Sequence, residues 1–317
     1  MFSVSGHITY YANPQVNVSG VKVDMDGLTD QTVMTTSTGS YSANIAGGST
    51  VEVIPSKTGS FGTGVSSLDA SRVLQAVAGL ITFTPMQRLA CDVTGDGTLS
   101  TVDAQRILQF SAGLINQFPV AQQCGSDWLF YPSPDPLQNQ EVVLPTIAGF
   151  NCQLGNIVMT PLLNPAPNQD YEGILFGDCT GNWTPTAGSL RQRAAGTTVE
   201  TGAARHAPGD QLLIPIYVRA HSPFTALDLQ VAYDPKVLEL TTVMPRGSAA
   251  HAMTGISNQQ PGLVAVSLAS ASPIDPSLGV MLILQFHRTG AVGANAVRLV
   301  QAQVDEQTTA VTSHSTR

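Results

Sequence analysis

Residues 91–104 read CDVTGDGTLSTVDA. Counted as a twelve-position loop from Asp92, the oxygen-bearing side chains fall at the first (Asp92), third (Thr94), fifth (Asp96), seventh (Thr98), ninth (Ser100) and twelfth (Asp103) places, with Gly97 sixth. Alternating oxygens converge on one hard cation only if the backbone wraps around it, and the sixth place turns too sharply for a side chain. The expected occupant is Ca2+, held by Asp92, Thr94, Asp96, Thr98 and Asp103, with Leu99 anchoring the loop to a core. Asp-Gly and Thr-Gly clusters also make ordinary turns, and Asp103 is placed to cap the helix that follows; the two roles are compatible.

The segment after this loop occurs twice. Residues 68–81, LDASRVLQAVAGLI, match residues 102–115, VDAQRILQFSAGLI, with Asp69 opposite Asp103. Val73, Leu74, Val77 and Leu80 recur at helical spacing, as do Ile107, Leu108 and Leu114, so each copy is expected to present an apolar helix face. Gly79 and Gly113 stand where a left-handed cap would end each helix. The unit is therefore a duplicated loop-helix.

A tandem of loop plus single helix, with Asp in place of Glu at the twelfth position, resembles a dockerin module, over about residues 57–123. The first copy departs from the pattern. In register with the second, its loop offers Thr58, Ser60, Gly64 and Asp69, with one carboxylate and a displaced glycine, so an ion there would depend on hydroxyls, carbonyls and Asp69.

At 317 residues the chain is long enough for two or three domains. Only 11% of residues are charged, while Gly, Pro and Ser/Thr are plentiful, which suits short strands and turns. The expected fold is mainly β and multidomain: an N-terminal β-sandwich, a small α-helical dockerin-like calcium module and a C-terminal cohesin-like β-sandwich. A net charge of −8 without any Lys/Arg cluster argues against nucleic acid as a partner. No run of apolar residues is long enough for a membrane span. Met1-Phe2-Ser3 leads straight into a strand pattern with neither a basic start nor an apolar stretch, as in a matured product or a piece of a longer precursor.

Cys91, Cys124, Cys152 and Cys179 lack the paired spacing of a zinc site. Together with a calcium loop they point to disulfides and to an extracellular or cell-surface location. Three pairings are possible; the expectation is Cys91 with Cys124, clasping the second repeat, and Cys152 with Cys179.

Residues 1–56 alternate in the manner of short strands: His7–Tyr10, Val21–Met25, Tyr41–Ile45 and Val51–Ile54, separated by turn residues. Their order resembles the prealbumin-like or collagen-adhesin B-type modules of surface proteins, some of which carry a Lys to Asn isopeptide staple, for which Lys22 is the candidate lysine. Asp24, Asp26 and Asp30 fit a hairpin turn more simply than a cation site. This sandwich lacks a strand or two, which leaves room for donation from a neighbouring subunit's terminus. Residues 124–190 show no regular period and are expected to be an irregular, disulfide-stapled segment. Near their end Asp178, Thr180 and Asn182 repeat the first, third and fifth spacing of the loop, a third cation candidate. Pro185 and the missing sixth-place Gly favour a turn covered by Trp183.

A polar linker at 191–198 precedes the last domain, 191–317. Leu212–Val218, Ala226–Tyr233, Leu263–Leu268, Val280–Phe286 and Ala296–Val300 form a run of long apolar strands. Gly209-Asp210, Tyr233-Asp234-Pro235 with Leu238 beyond, and Gly279 leading into an apolar strand resemble a cohesin domain over about residues 198–306.

Cohesins bind dockerins, so the resemblance implies either contact within one chain, binding to a cognate cohesin or dockerin protein, or head-to-tail contact between copies. The last makes an open filament unless the rotation closes. Six histidines are scattered without a Ser/Asp constellation or metal spacing, and no carboxylate pair stands out, so the chain is expected not to be an enzyme. The alternatives are an adaptor portion of a larger secreted enzyme such as a glycoside hydrolase, or a carbohydrate-binding surface protein using Trp128 and Trp183.

Overall fold

The computed structural model describes residues 1–185 and 193–316, and the fold is mainly β. The chain forms two compact units: Met1–Gly64, Phe83–Ser100 and Gln117–Ala187, and Val65–Thr82, Thr101–Asn116 and Gly188–Arg317. These units cut across the boundaries expected from the sequence. The loop-helix tandem is shared between them, because its helices bury their small and apolar residues in the second unit while its second loop lies in the first.

In the first unit, residues 1–56 do not make a sandwich alone. One sheet runs Asn13–Asn17, Phe2–Tyr10, Tyr171–Leu175, Trp128–Pro132, with Ser40–Ile45 also paired to Phe2–Tyr10. The other runs Gln31–Met34, Lys22–Asp26, Val51–Ser56, Asn156–Met159, Gln140–Val143. The missing strands come from residues 128–175 of the same chain, so the segment expected to be irregular supplies sheet. Phe2–Tyr10 pairs in parallel with Tyr171–Leu175 through Ile8 and Tyr171. Val51, Val53 and Pro55 alternate inward along their strand, as a half-buried strand requires. The Tyr171 hydroxyl donates to the Val53 carbonyl at 2.7 Å and ties the two sheets across the core. Lys22–Asp26 and Gln31–Met34 form a hairpin in which Asp24 pairs with Lys22 at 2.7 Å, and Asp30 accepts from the Gly27 amide at 3.2 Å within the turn.

Two further helices belong to this unit: α2 (Pro85–Cys91) and α4 (Pro119–Cys124), here numbered after α1 (Ser67–Val77) and on either side of α3 (Thr101–Ser111). Thr84 caps α2 with Gln87 answering from the third helical place, and Pro85 fills the first turn, where no amide hydrogen is needed. The disulfides correct the expected pairing: Cys91 joins Cys179, and Cys124 joins Cys152. The reason lies in contacts remote in sequence. The Gly177 amide donates to the Ala90 carbonyl at 2.8 Å, which brings Cys179 beside the end of α2. The end of α4 packs on Asn151–Gln153, which carries Cys152.

The second unit contains α1, α3 and a ten-stranded sheet in the order Leu238–Pro245, Val280–Arg288, Gln211–Arg219, Arg193–Thr201, Gln307–Thr312, Val297–Val304, Phe224–Tyr233, Leu263–Ile274, Met253–Ser257, with Arg205–Ala207 added to Gln211–Arg219. The strand Arg193–Thr201 begins inside the stretch expected to be a linker; the remaining positions of that linker, 191 and 192, lie outside the described residues. Leu212, Ile214, Ile216, Leu229, Val264, Val266, Leu284 and Phe286 of these strands build one apolar core, to which Ala249 and Ala296 add from the turns between strands. α1 and α3 pack on each other and on the strands Phe224–Tyr233, Leu263–Ile274 and Met253–Ser257.

Both repeat helices end as their glycines require, with Gly79 at φ +72° and Gly113 at φ +74°. The expected apolar faces are only partly buried. Val73, Ile107 and Leu108 are inside, but Val77 is 44% and Leu80 63% exposed, because the packed surface of α1 is its polar, small-residue side around Ser67, Ala70 and Ser71.

Candidate functional site

The loop beginning at Asp92 is held by its own backbone. Asp92 Oδ1 accepts from the Gly95 amide at 2.9 Å and from Thr94 Oγ1 at 3.3 Å, while Oδ2 accepts from the Gly97 amide at 2.7 Å. Asp96 Oδ1 accepts from both the amide and the hydroxyl of Thr98 at 2.7 Å. Gly97 sits at φ +91°, the left-handed backbone that the sixth place was expected to need. Asp103 lies in the first turn of α3 and is fully buried. The side chains offered along this loop are all oxygen donors, which fits a hard cation. Among the described residues no three His, Cys, Asp or Glu side chains gather into a metal-holding group, so a cation here would draw on hydroxyl and carbonyl oxygens as well.

In the first copy, Thr58 and Ser60 are exposed, and the Ser60 carbonyl accepts from Trp183 Nε1 at 2.7 Å. Gly64 is packed so closely that a Cβ there would stand 2.9 Å from Leu175 Cδ2 and 3.0 Å from Asp178 Oδ2. Asp69 completes a capping box at the start of α1: Ser66 accepts from the Leu68 amide at 3.1 Å, and Asp69 Oδ2 accepts from the Ser66 amide at 2.8 Å.

The third candidate is a buried turn. Asp178 Oδ1 accepts from the amides of Gly181 and Asn182 at 2.7 and 3.2 Å, and Oδ2 from the Trp183 amide at 2.9 Å and the Tyr10 hydroxyl. Burial pushes its carboxyl above the usual carboxylate range, while the hydrogen bonds from Tyr10 and the three amides act in the opposite sense. Trp128 and Trp183 are buried and meet edge to face at 4.7 Å, so neither is a surface platform for sugar.

A cluster that sequence reasoning did not single out lies within the second unit. Asp228, Ser267 and Gly255 stand side by side across three neighbouring strands. Asp228 Oδ2 accepts from the Ser67 hydroxyl at 2.7 Å and its amide at 3.2 Å, both at the start of α1. Its Oδ1 accepts from Ser111 at the end of α3, at 2.7 Å, and from Ser267 at 2.6 Å. Ser71 adds a bond to the Ser270 carbonyl at 2.8 Å, and Ser66 one to Glu306 at 2.7 Å. One carboxylate thus gathers both helices.

The repeats contribute opposite ends. Thr101, which matches Ser67, and Val77, which matches Ser111, are exposed. Two signals in the sequence mark the cluster: an isolated acid within the apolar run 226–233, and a serine at 111 where the first copy has Val77.

No family model matches this chain, and no curated protein matches it. Parts of the chain are similar to solved structures. A non-cellulosomal cohesin from the hyperthermophilic archaeon Archaeoglobus fulgidus is 17% identical, with 38% of this chain and 86% of that chain covered and a TM-score of 0.29. The sixth cohesin of scaffoldin B from Acetivibrio cellulolyticus, solved in complex with a Cel5 dockerin mutant, is 17% identical, with 38% and 94% covered and a TM-score of 0.30. The cohesin module of a family 33 glycoside hydrolase from Clostridium perfringens is 12% identical, with 41% and 92% covered and a TM-score of 0.30. Among the described residues no helix is long and apolar enough to cross a membrane.

Proposed function

We propose that this chain is a non-enzymatic, calcium-ordered interaction protein of the cell exterior, whose C-terminal sandwich receives a duplicated loop-helix pair and whose copies associate head to tail through that contact. The observation that carries the proposal is Asp228, a single carboxylate on the sandwich that accepts from Ser67 of α1 and Ser111 of α3. Carboxylate to hydroxyl bonds are directional and strong enough to specify a docking register. The resemblance of residues 57–123 to a dockerin and of 198–306 to a cohesin supports the same pairing. Two disulfides support an oxidising compartment.

Asp92, Thr94, Asp96, Thr98 and Asp103 would hold the ion, Thr98 through its backbone carbonyl. A bound divalent cation supplies charge neutralisation and fixes the loop that leads into α3. The chain's own residues then do the recognition: Asp103 sits in the first turn of α3, and Ser111 at its other end meets Asp228. In the first copy Asp69 already has a capping partner, so an ion there would contribute less.

Particle mass by light scattering, in millimolar calcium and then in excess chelator, tests this. Large species that fall to monomer on chelation are expected. Monomer under both conditions would sink self-association and favour an adaptor for a different cohesin or dockerin protein.

A further inference from the structure

We infer that the helix pair and the sandwich are exchangeable partners: the contact made within the chain is the closed form of an interface whose other occupant is the helix pair of a second copy. The inference rests on the proposed self-association and names its route.

The first observation is that the sandwich does not need the helices for its core. The buried residues of that core lie between Val199 and Val304, in the strands and the turns that join them, and α1 and α3 contribute none of them among the described residues. Lifting α1 and α3 away would therefore uncover a surface and leave the apolar interior closed.

The second is the chemistry of the contact. Its polar part is made by the hydroxyls of Ser67, Ser111 and Ser267 around one half-buried carboxylate, Asp228, with Ser71 on the Ser270 carbonyl and a close backbone approach between Gly255 and Leu108; the helices' own aliphatic side chains buried beside it are few, Val73, Ile107 and Leu108. The hydroxyls and the carboxylate are well solvated when apart, and this lowers the cost of separating them relative to an all-aliphatic seam. Polar interfaces of this kind belong to domains that separate.

The third is connectivity. The chain passes between the two compact units at both ends of the α1 segment (Val65–Thr82) and at both ends of the α3 segment (Thr101–Asn116), but reaches the sandwich strands only once, after residue 187. The helix segments are joined to the chain of the first unit at four crossings, whereas the sandwich is joined to that unit by a single stretch and to the helices by no direct connection.

If a copy's helix pair leaves its own sandwich and seats on that of another, each bond lost is replaced by an identical one. No new surface has to be evolved, and the balance between closed and exchanged forms is set by concentration rather than by contact energy. Short tethers give effective concentrations on the order of millimolar. Dilute protein is then closed and monomeric, and crowded protein exchanges. Because the sandwich of the first copy is left free to accept a third, the contact is heterologous and propagates.

The test uses two single variants of the full chain in calcium, Ser111→Cys and Ser267→Cys, whose side-chain oxygens lie 3.1 Å apart. Neither variant carries both new thiols, so a disulfide between positions 111 and 267 in an equimolar mixture forms only between chains. The expected result is a covalent dimer containing one copy of each variant. Its fraction should rise in proportion to concentration, and it should be absent when either variant is oxidised alone. Both substitutions are near-isosteric, and circular dichroism spectra matching the parent verify the fold, with any lowering of the melting temperature reporting the weaker thiol donor. As a second probe, Asp228→Asn weakens the closed and the exchanged contact alike, so the yield of mixed dimer at a given concentration should stay within about twofold of the parent pair; a severalfold change would overturn the identity of the two contacts.

Multimers seen by light scattering without any mixed 111–267 dimer would overturn the exchange route while leaving self-association standing. Monomer at every concentration would overturn both.

Discussion

Gly255 offers the sharpest test of how the helix pair is seated. It lies in the edge strand Met253–Ser257, is buried, and has no left-handed backbone to favour glycine, so alanine is conformationally tolerated there. A Cβ at this position would stand 2.6 Å from the Leu108 carbonyl oxygen and 2.9 Å from its carbonyl carbon. Carbon to oxygen contacts settle near about 3.3 Å, so α3 must retreat by about 0.7 Å. The obstacle is helix backbone, which cannot swing aside as a side chain would.

Ser111, one turn further along α3, would move with it. Its 2.7 Å bond to Asp228 and 3.1 Å contact with Ser267 would stretch beyond useful hydrogen-bond length. Overpacking costs about 1–3 kcal/mol and losing a hydrogen bond to a charged group about 1.5–3 kcal/mol. The second relieves part of the first, so Gly255→Ala should weaken the seating by about 2–3 kcal/mol. Read by native-state hydrogen exchange, the amides of α3 should exchange roughly 30- to 150-fold faster, since each 1.4 kcal/mol is about tenfold. The amides of Leu263–Leu268 in the sandwich core should not change. Exchange of α3 within a factor of about three of the parent would refute the close seating and the reasoning built on it.

Asp228→Ala removes the acceptor of four hydrogen bonds and should destabilise helix docking by about 2–4 kcal/mol, measured by denaturant unfolding followed at α1 and α3; Ser67→Ala and Ser111→Ala should each cost less. Chelation or Asp92→Ala should lower the melting temperature of the parent chain, and calcium should fail to restore it in the variant; equal melting with and without calcium in the parent would remove the ion's structural role. Tyr41 and Tyr171 are held above the ordinary phenol range by burial, with Asp170 adding to the effect at Tyr41 and Tyr41 at Tyr171. Their folded forms keep a proton that the unfolded chain gives up near pH ~10, so stability is complete below that pH and falls above it by about 1.4 kcal/mol per pH unit per residue. Tyr41→Phe with Tyr171→Phe should remove that slope in unfolding curves taken between about pH 9 and 11. Peptide mapping should recover Cys91 with Cys179 and Cys124 with Cys152; by loop length the bridges are worth about 4.6 and 3.6 kcal/mol in the chain-entropy account, so Cys91→Ser should cost the more.

The local features of this chain were legible from its residues. The repeat 68–81 against 102–115 fixed two helices, Gly79 and Gly113 their ends, and Gly97 the sharp turn of the loop, because each depends on neighbours a few residues away. The long apolar strands from 211 onward were legible for the same reason: a run of Leu, Ile and Val carries its own period. The segment 124–175 was not, since its strands are short, interrupted by proline and partly exposed.

Three outcomes needed the tertiary structure. Phe2–Tyr10 chose Tyr171–Leu175 as its neighbour, Cys91 chose Cys179, and Asp228 became the seat of two helices. Each joins residues far apart in the sequence, and no local period records which distant face will be complementary. Periodicity tells a residue which way its side chain points; only the packing of whole faces, with their buried polar groups satisfied, decides what it points at.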